Sequence, residues 1–600
     1  MAGVQTARFE IPDCPPAEVQ RLRRELGVSG ALAQVLTRRG FADPVRAREF
    51  LAGAERHPPQ DFRGIGEAVE TILRHVASGG LITIHGDYDV DGVCSTAVLV
   101  RALRGLQANV DSYLPDRASD GYGLNERTVR RLAARGTRLL VTVDCAITAV
   151  EEVAVAKTLG VEVVVTDHHA PRADGALPDA PIVHPGVCGY PCADLCATAV
   201  AHKLAEALID AAAAGALAGV DVARADRLRR ALNQDLDLVA LATIADVVPL
   251  VGENRALARR GLRALAATAK PGLRALMAVS GVDPAKVNER AVGFALAPRL
   301  NAAGRLYRAD AGLELILTED RERGAQIASE LDSANRERRD VETRIRYEAE
   351  ARIAELGERP AYVLAGEGWH AGVIGIVASR LAERSGRPVV LIALDGDTGK
   401  GSGRSIDAFD LLGGLTACGG HLLRFGGHRA AAGLEIERGR VEAFAAALAA
   451  HAERVLGPNE LVPVERVDAV VGCDELGMDL AEELGRLAPF GRGNPAVSLM
   501  VADATFTDSR PMGEGKHVRF TVESRGARAR AVAFGNGGRL PVADGEPAEA
   551  TFALEVNEWN GVSEPRLVLR RAQPVPSAIA AEDQLEDAVA PEEELVLFAL

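Results

Sequence analysis

Three short runs of β-branched and aliphatic residues mark the first half of the chain: LITIH (Leu81–His85), LLVTVD (Leu139–Asp144) and VEVVVTD (Val161–Asp167). Each gives way to glycine-bearing or polar residues and then to an alanine-rich stretch of helical character. Strands that alternate with helices predict right-handed crossovers and a parallel sheet. The polar residues that close these strands fall at their carboxyl ends, where open parallel sheets bind ligands. Residues 1–60 read differently, with RLRREL and REFLAG predicting short amphipathic helices. Residues 205–234 are alanine-rich and helical, without visible chemistry. The charged, proline-free run over 321–358 predicts one long helix that bridges two lobes. A second α/β unit begins at AYVLAGEG (Ala361–Gly368) and occupies 359–456. Over 460–574 the pattern becomes one of short alternating strands, such as HVRFTV (His517–Val522), ARAVAF (Ala529–Phe534) and PRLVLR (Pro565–Arg570), which predicts a small β-barrel. The acidic tail over 575–600, with EDQLED and PEEE, is expected to be disordered.

Composition narrows the class. A chain of 600 residues, 48% hydrophobic and 26% charged, is too long for one core and ordinary for a globular protein. Neither a basic leader followed by an apolar run nor an apolar stretch of roughly 18 residues is visible, so a cytoplasmic protein without a membrane span is expected. The eight cysteines are scattered, and Cys188, Cys192 and Cys196 lack a matching second cluster, so reduced structural thiols are expected rather than zinc. The formal charge, 69 − 84 = −15, speaks against a generally basic surface. A local basic channel inside an acidic shell remains open to it, and the arginines of Ala297–Arg305 and Arg336–Arg346 are where to look.

The densest chemistry is HGDYDVDG, His85–Gly92. Three aspartates at alternate positions after a buried strand repel one another unless a cation joins them. Asp87-x-Asp89-x-Asp91-Gly92 fits the start of a calcium loop, but the twelfth position is Val98 and a strand precedes the segment, so that reading fails. Three more polar ends follow: Asp144, Asp167-His168-His169, and Asp246 in LVALATIADVVPL. Taken singly, each is a turn or a cap. Together they supply the carboxylates and imidazoles that a pair of hard divalent cations requires. Such a pair can activate water and stabilise the leaving oxygen of a phosphodiester. No phosphate loop ending in Gly-Lys-Ser/Thr is present, since Gly401 follows Lys400.

HGDYDVDG, VTVDCAIT, TDHH and ADVVPL, in this order and spacing, closely resemble the four motifs of the DHH phosphoesterases. LPDRASDGYGLN (Leu114–Asn125), PRLNAAGR (Pro298–Arg305), WHAGVIGIVASRL (Trp369–Leu381), KGSGRS (Lys400–Ser405) and FGGHRAAAG (Phe425–Gly433) narrow the resemblance to the RecJ branch of that family. APFGRGNP (Ala488–Pro495) and NEWNG (Asn557–Gly561) are similar to its oligonucleotide-binding barrel. The resemblance implies an α/β fold: a DHH catalytic lobe with a parallel sheet over 61–320, a connecting helix, a DHHA lobe and a C-terminal OB-like β-barrel. It implies a single-stranded-DNA-specific 5′-to-3′ exonuclease that releases 5′-mononucleotides in recombination and repair. His85, Asp89, Asp91, Asp144, His168 and Asp246 would hold two Mn²⁺ or Mg²⁺ ions, with Asp87 behind them and His169 assisting at the phosphate. Arg117, Arg305, Ser402 and Arg404 match the family's 5′-phosphate positions; Arg299, Asn301, His428, Phe490 and Trp559 complete the expected contacts to single-stranded DNA. A monomer that works with a single-strand-binding protein and a RecQ-type helicase follows from the same likeness. Departures from the family pattern are Ala146 in place of glycine, His184 in place of asparagine, LCATAV (Leu195–Val200) where glycines are usual, and Val497 in place of proline. With the metals in the first lobe, hydrolysis is expected not to need residues beyond about Glu460.

Overall fold

A computed structural model describes residues 8–116, 121, 123–306, 310–457, 461–559 and 561–575, excluding the side chains of Arg305, Leu306 and Trp559. Arg117, those three side chains and the tail from 576 onward therefore lie outside the described residues.

The chain divides into two compact units, one of residues 52–461 plus Pro489–Pro495, the other of the remainder. The larger unit opens on five strands: β1 (Ile82–His85), β2 (Val110–Tyr113), β3 (Leu139–Thr142), β4 (Glu162–Thr166) and β5 (Ile182–Val183). All four pairings are parallel, and the strand order is β2-β1-β3-β4-β5. β1 and β3 are buried at every position, Thr83, His85 and Thr142 included, as strands covered on both faces require. Helix α1 (Val90–Gly105) is buried along most of its length and packs beside α2 (Ala197–Ala211) and α3 (Leu236–Ala245). An apolar surface on all sides is what a central helix requires.

Helix α4 (Arg321–Leu356), 36 residues without a break, ends where Gly357 turns to φ +66°. At 1.5 Å per residue it is about 54 Å long. Beyond it a mixed sheet forms from β6 (Tyr362–Glu367), β7 (Val389–Asp395), β8 (Thr398–Arg404), β9 (Arg424–Gly427) and β10 (Ala431–Glu437), in the order β9-β10-β8-β7-β6. Only β6 and β7 pair in parallel.

In the smaller unit, β11 (Leu499–Met512), β12 (His517–Ser524), β13 (Ala527–Ala533), β14 (Pro547–Trp559) and β15 (Val562–Pro574) run in the order β11-β12-β13-β15-β14. β11 pairs back to β14, closing a five-stranded barrel without free edges. The N-terminal segment belongs to this unit. Arg8–Glu10 pairs in parallel with Val464–Arg466, and Arg39 binds the buried Asp468 through Nε at 2.9 Å and Nη2 at 2.8 Å. Among the described residues no helix is long and apolar enough to cross a membrane.

Candidate metal centre and anion cradle

The strand order of the first sheet reverses between β1 and β3, and crevices of this kind bind ligands at the carboxyl ends of the strands. That is where the acids collect. Asp87, Asp89 and Asp144 bring one ligand atom each within 4.8 Å of one another; so do Asp91, His168 and Asp246, and so do Asp144, His168 and His169, the histidines through a ring nitrogen. His168 Nε2 lies 3.2 Å from Asp144 Oδ1 and 3.7 Å from both Asp91 Oδ2 and Asp246 Oδ2. That buried nitrogen makes no hydrogen bond. A cation shared by these groups accounts for the arrangement, and carboxylates joined by imidazole suit Mn²⁺ or Mg²⁺.

The electrostatics agree. Burial, reinforced by the charges of Asp91, Asp89, Asp87 and Asp167, holds the Asp144 carboxyl well above the usual range. Burial and then Asp91 and Asp89 push Asp246 up to about 8, and burial with Asp91 raises Asp89. These are acids that resist ionising until a cation arrives. His168 is lowered, chiefly by burial. His169 goes the other way: burial pulls it down, but the hydrogen bond and charge of Asp167, with Asp246 and Asp91, carry it up to about 9.

Asp167 orients the histidine pair. Its Oδ1 accepts His168 N–H at 2.7 Å, His169 N–H at 3.1 Å and His169 Nδ1 at 2.8 Å, while Oδ2 accepts Ile147 N–H at 2.9 Å. Those hydrogen bonds outweigh burial and lower its carboxyl. Asp89 caps α1, accepting Asp91 N–H at 2.9 Å and Gly92 N–H at 3.1 Å. Asp91 is held by the first turn of α2: Ala197 N–H at 2.7 Å, Thr198 N–H at 2.8 Å and Thr198 Oγ1 at 2.6 Å. LCATAV thus supplies a helix N-terminus for a carboxylate.

Two departures from the family pattern have physical consequences. Ala146 adopts φ +82°, two residues after Asp144 at +61°, so the glycine usual there would relieve strain. His184 is buried; its Nε2–H donates to His169 O at 2.8 Å, and its Nδ1 accepts Gly186 and Val187 N–H, each at 3.1 Å. The ring divides donor and acceptor between its two nitrogens, as an asparagine amide divides them between nitrogen and oxygen.

Three expected site residues have partners within the fold. His85, at the end of β1, is buried, with Nδ1 3.6 Å from Cys145 Sγ. Arg299 is buried and engaged by Asp332 Oδ1 at 2.9 Å and Ala295 O at 2.7 Å, which ties it to α4. Asn301 Oδ1 accepts Val90 N–H at 3.0 Å, so it props the metal-binding loop. Gly304 serves the same end, since a Cβ there would lie 2.5 Å from Tyr88 O. Cys188, Cys192 and Cys196 are free thiols outside all three groups.

A site of opposite sign lies in the second sheet. Arg404 Nη1 donates to Ser402 Oγ at 3.1 Å and to Gly403 O at 2.8 Å, and among the described residues it has no carboxylate partner. Burial lowers its pKa. Gly375, in the first turn of helix Ile374–Ser385, faces both: a Cβ there would meet Ser402 Oγ at 2.9 Å and Arg404 Nη2 at 3.1 Å. A guanidinium, a hydroxyl and a helix N-terminus make an anion cradle. His428 is exposed at the turn after β9, its N–H bonded to Ala431 O at 2.8 Å.

Sequence reasoning missed one segment altogether. Pro489–Pro495, the heart of APFGRGNP, packs in the larger unit and not with the barrel. Leu250 N–H donates to Arg492 O at 2.7 Å, and a Cβ on Gly491 would strike Leu250 Cδ1 at 2.8 Å. Phe490 is half-buried in this loop. The metal-bearing unit therefore does not end near Glu460, because a later loop walls the segment that follows Asp246.

A parallel sheet that gathers aspartates and a His-His pair at its switch point, followed by a mixed sheet with an anion cradle, defines a DHH phosphoesterase. The profile of the DHH family N-terminal domain matches residues 81–243, that of the DHHA1 domain 358–454 and that of the RecJ OB domain 467–571. The chain belongs to the RecJ family. It is 38% identical to the single-stranded-DNA-specific exonuclease RecJ of Bacillus subtilis (strain 168), over 94% of this chain and 70% of that protein. It is 37% identical to the protein of the same description from Dickeya dadantii (strain 3937), over 95% and 98%. The crystal structure of RecJ from Thermus thermophilus in complex with Mn²⁺ superposes with a TM-score of 0.81 at 31% identity, covering 95% of this chain and 80% of that one.

Proposed function

We propose that this chain is a metal-dependent exodeoxyribonuclease that degrades single-stranded DNA from its 5′ end and releases 5′-mononucleotides, in DNA recombination and repair. The observation that carries the reading is the convergence of Asp87, Asp89, Asp91, Asp144, His168 and Asp246 at one strand-order reversal, in a member of the RecJ family. His85, Asp89, Asp91, Asp144, His168 and Asp246 would hold two Mn²⁺ or Mg²⁺ ions, with Asp87 behind them. When bound, such ions supply an activated water and neutralise the leaving oxygen.

The protein's own groups do the rest. Asp91 and Asp89 are fixed by backbone N–H donors, so their free lone pairs point into the crevice before any cation arrives. His169, kept protonated at neutral pH by Asp167, carries its remaining N–H at Nε2 as a donor to a phosphate oxygen. Ser402 and Arg404 would receive the 5′-terminal phosphate, with Arg117 and Arg305 as further candidates for the same role. His428, Phe490 and Trp559 are the remaining candidates for contact with the strand. On this reading the enzyme is a cytoplasmic monomer, acting on strands opened by a RecQ-type helicase and covered by a single-strand-binding protein. Digestion of one oligonucleotide labelled at its 5′ or its 3′ end, with and without Mn²⁺, tests the reading. Immediate release of the 5′ label as a mononucleotide only with metal is expected; release from the 3′ end, or metal-independent cutting, would reject it.

A further inference from the structure

Arg492 lies far along the chain from the metal-binding motifs, yet its loop is built against them. Its carbonyl accepts the Leu250 N–H at 2.7 Å, four residues past Asp246. Gly491 and Asn494 bridge to each other, and the buried Asn494 donates Nδ2–H to Pro489 O at 2.8 Å, closing the loop on itself. Gly493, at φ +74°, sits where a Cβ would approach Pro249 Cβ at 3.2 Å. The backbone of Arg492 is thus pinned on both sides.

Its side chain is not. The guanidinium is exposed and, among the described residues, makes no hydrogen bond and no ion pair. Its loop is nevertheless anchored on Pro249 and Leu250, so the charge is carried on the segment built against the end of the Asp246 motif. A fixed positive charge beside a cation-binding cluster weakens cation binding, so on metal grounds alone the residue is counterproductive. It becomes useful if a polyanion must enter the same crevice, because guanidinium matches phosphate in geometry and charge.

We propose that Arg492 is a substrate-binding residue that contacts a backbone phosphodiester of the strand at the metal centre. The role rests on the nuclease reading above for the identity of the polyanion, and it makes the Pro489–Pro495 loop part of the active site rather than of the barrel.

The test uses the full chain carrying Asp144→Asn, which stops cutting, with and without Arg492→Ala or Arg492→Lys. Binding of a fluorescent single strand is followed by anisotropy over a range of salt concentrations without divalent metal. Each phosphate contact adds about 0.7 to the slope of log affinity against log salt on single strands. Arg492→Ala should lower the slope by about 0.7 and weaken binding roughly tenfold, while Arg492→Lys keeps the slope. Since the guanidinium makes no hydrogen bond or ion pair among the described residues, the melting temperature should not move, and Arg492→Lys serves as the check that the loop is intact. An unchanged slope, with or without a changed Mn²⁺ requirement for cutting by the single variant Arg492→Ala, overturns the proposal. The parent chain is assayed for cutting alongside. A parent that binds the strand but does not cut it, with the slope change intact, would sink the nuclease reading and leave the phosphate contact standing.

Discussion

The two sheets of the larger unit solve opposite electrostatic problems by one physical means. In the first, burial drives carboxyl groups up: Asp144 well above its usual range, and Asp246 to about 8. In the second, burial drives the Arg404 guanidinium down, with no carboxylate among the described residues to offset it. Desolvation disfavours whichever charge the site carries, so one crevice is left short of positive charge and the other short of negative charge. The first sheet is all parallel and concentrates its polar residues at a strand-order reversal. The second is mostly antiparallel and uses a glycine-rich strand, TGKGSGR, to bring Ser402 and Arg404 against a helix N-terminus. A nuclease that holds cations and a terminal phosphate needs both solutions.

The largest break in this comparison comes from Asp144→Asn. Asparagine tolerates the φ of +61° that alanine would strain, so the substitution isolates the charge. Cutting should fall by about 10³-fold or more, over 4 kcal/mol of transition-state stabilisation, while strand binding persists. Activity within tenfold of the parent would remove Asp144 from the metal set.

Metal removal comes next. The Asp246 carboxyl, near 8 in the folded chain, lies above its unfolded value of about 3.9. Without metal this group therefore favours folding at low pH, and that contribution is lost as pH climbs toward 8. Cation binding needs the ionised form and competes with protons. Mn²⁺ at a hundredfold excess over Kd should stabilise the chain by about 2.7 kcal/mol. The gap between melts in Mn²⁺ and in chelator should widen from pH 6 to pH 8; a gap that narrows would contradict the placement of Asp246.

Arg404→Ala probes the other sheet. Loss of a charge-assisted contact should cost about 1.5–3 kcal/mol in productive binding of 5′-phosphorylated strands, with little change for 5′-hydroxyl strands. Equal losses on the two substrates would show that the cradle does not read the terminal phosphate. The smallest effect is expected from Ala146→Gly, which removes the left-handed strain at φ +82° and should raise stability by about 1 kcal/mol in denaturant melts. An unchanged midpoint would mean that the surrounding structure already absorbs that strain.

By itself the sequence determined the kinds of element and their chemistry. Apolar runs closed by aspartate marked buried parallel strands with ligands at their ends, and the charge and spacing of HGDYDVDG, VTVD and TDHH identified a cation site and its family. Periodicity and motif order are local properties, legible without coordinates. What packs against a motif is not local, and there only the tertiary structure decided. It gave Arg299 and Asn301 partners within the fold, Asp332 on α4 and Val90 on the metal loop. It set His85 against Cys145, gave His184 the carbonyl of His169, and carried Arg492 from the barrel stretch to the segment that follows Asp246. In each case the deciding contact joins elements well separated along the chain, and hydrogen-bond partners at that range are set by how the elements pack, which no pattern along the chain encodes.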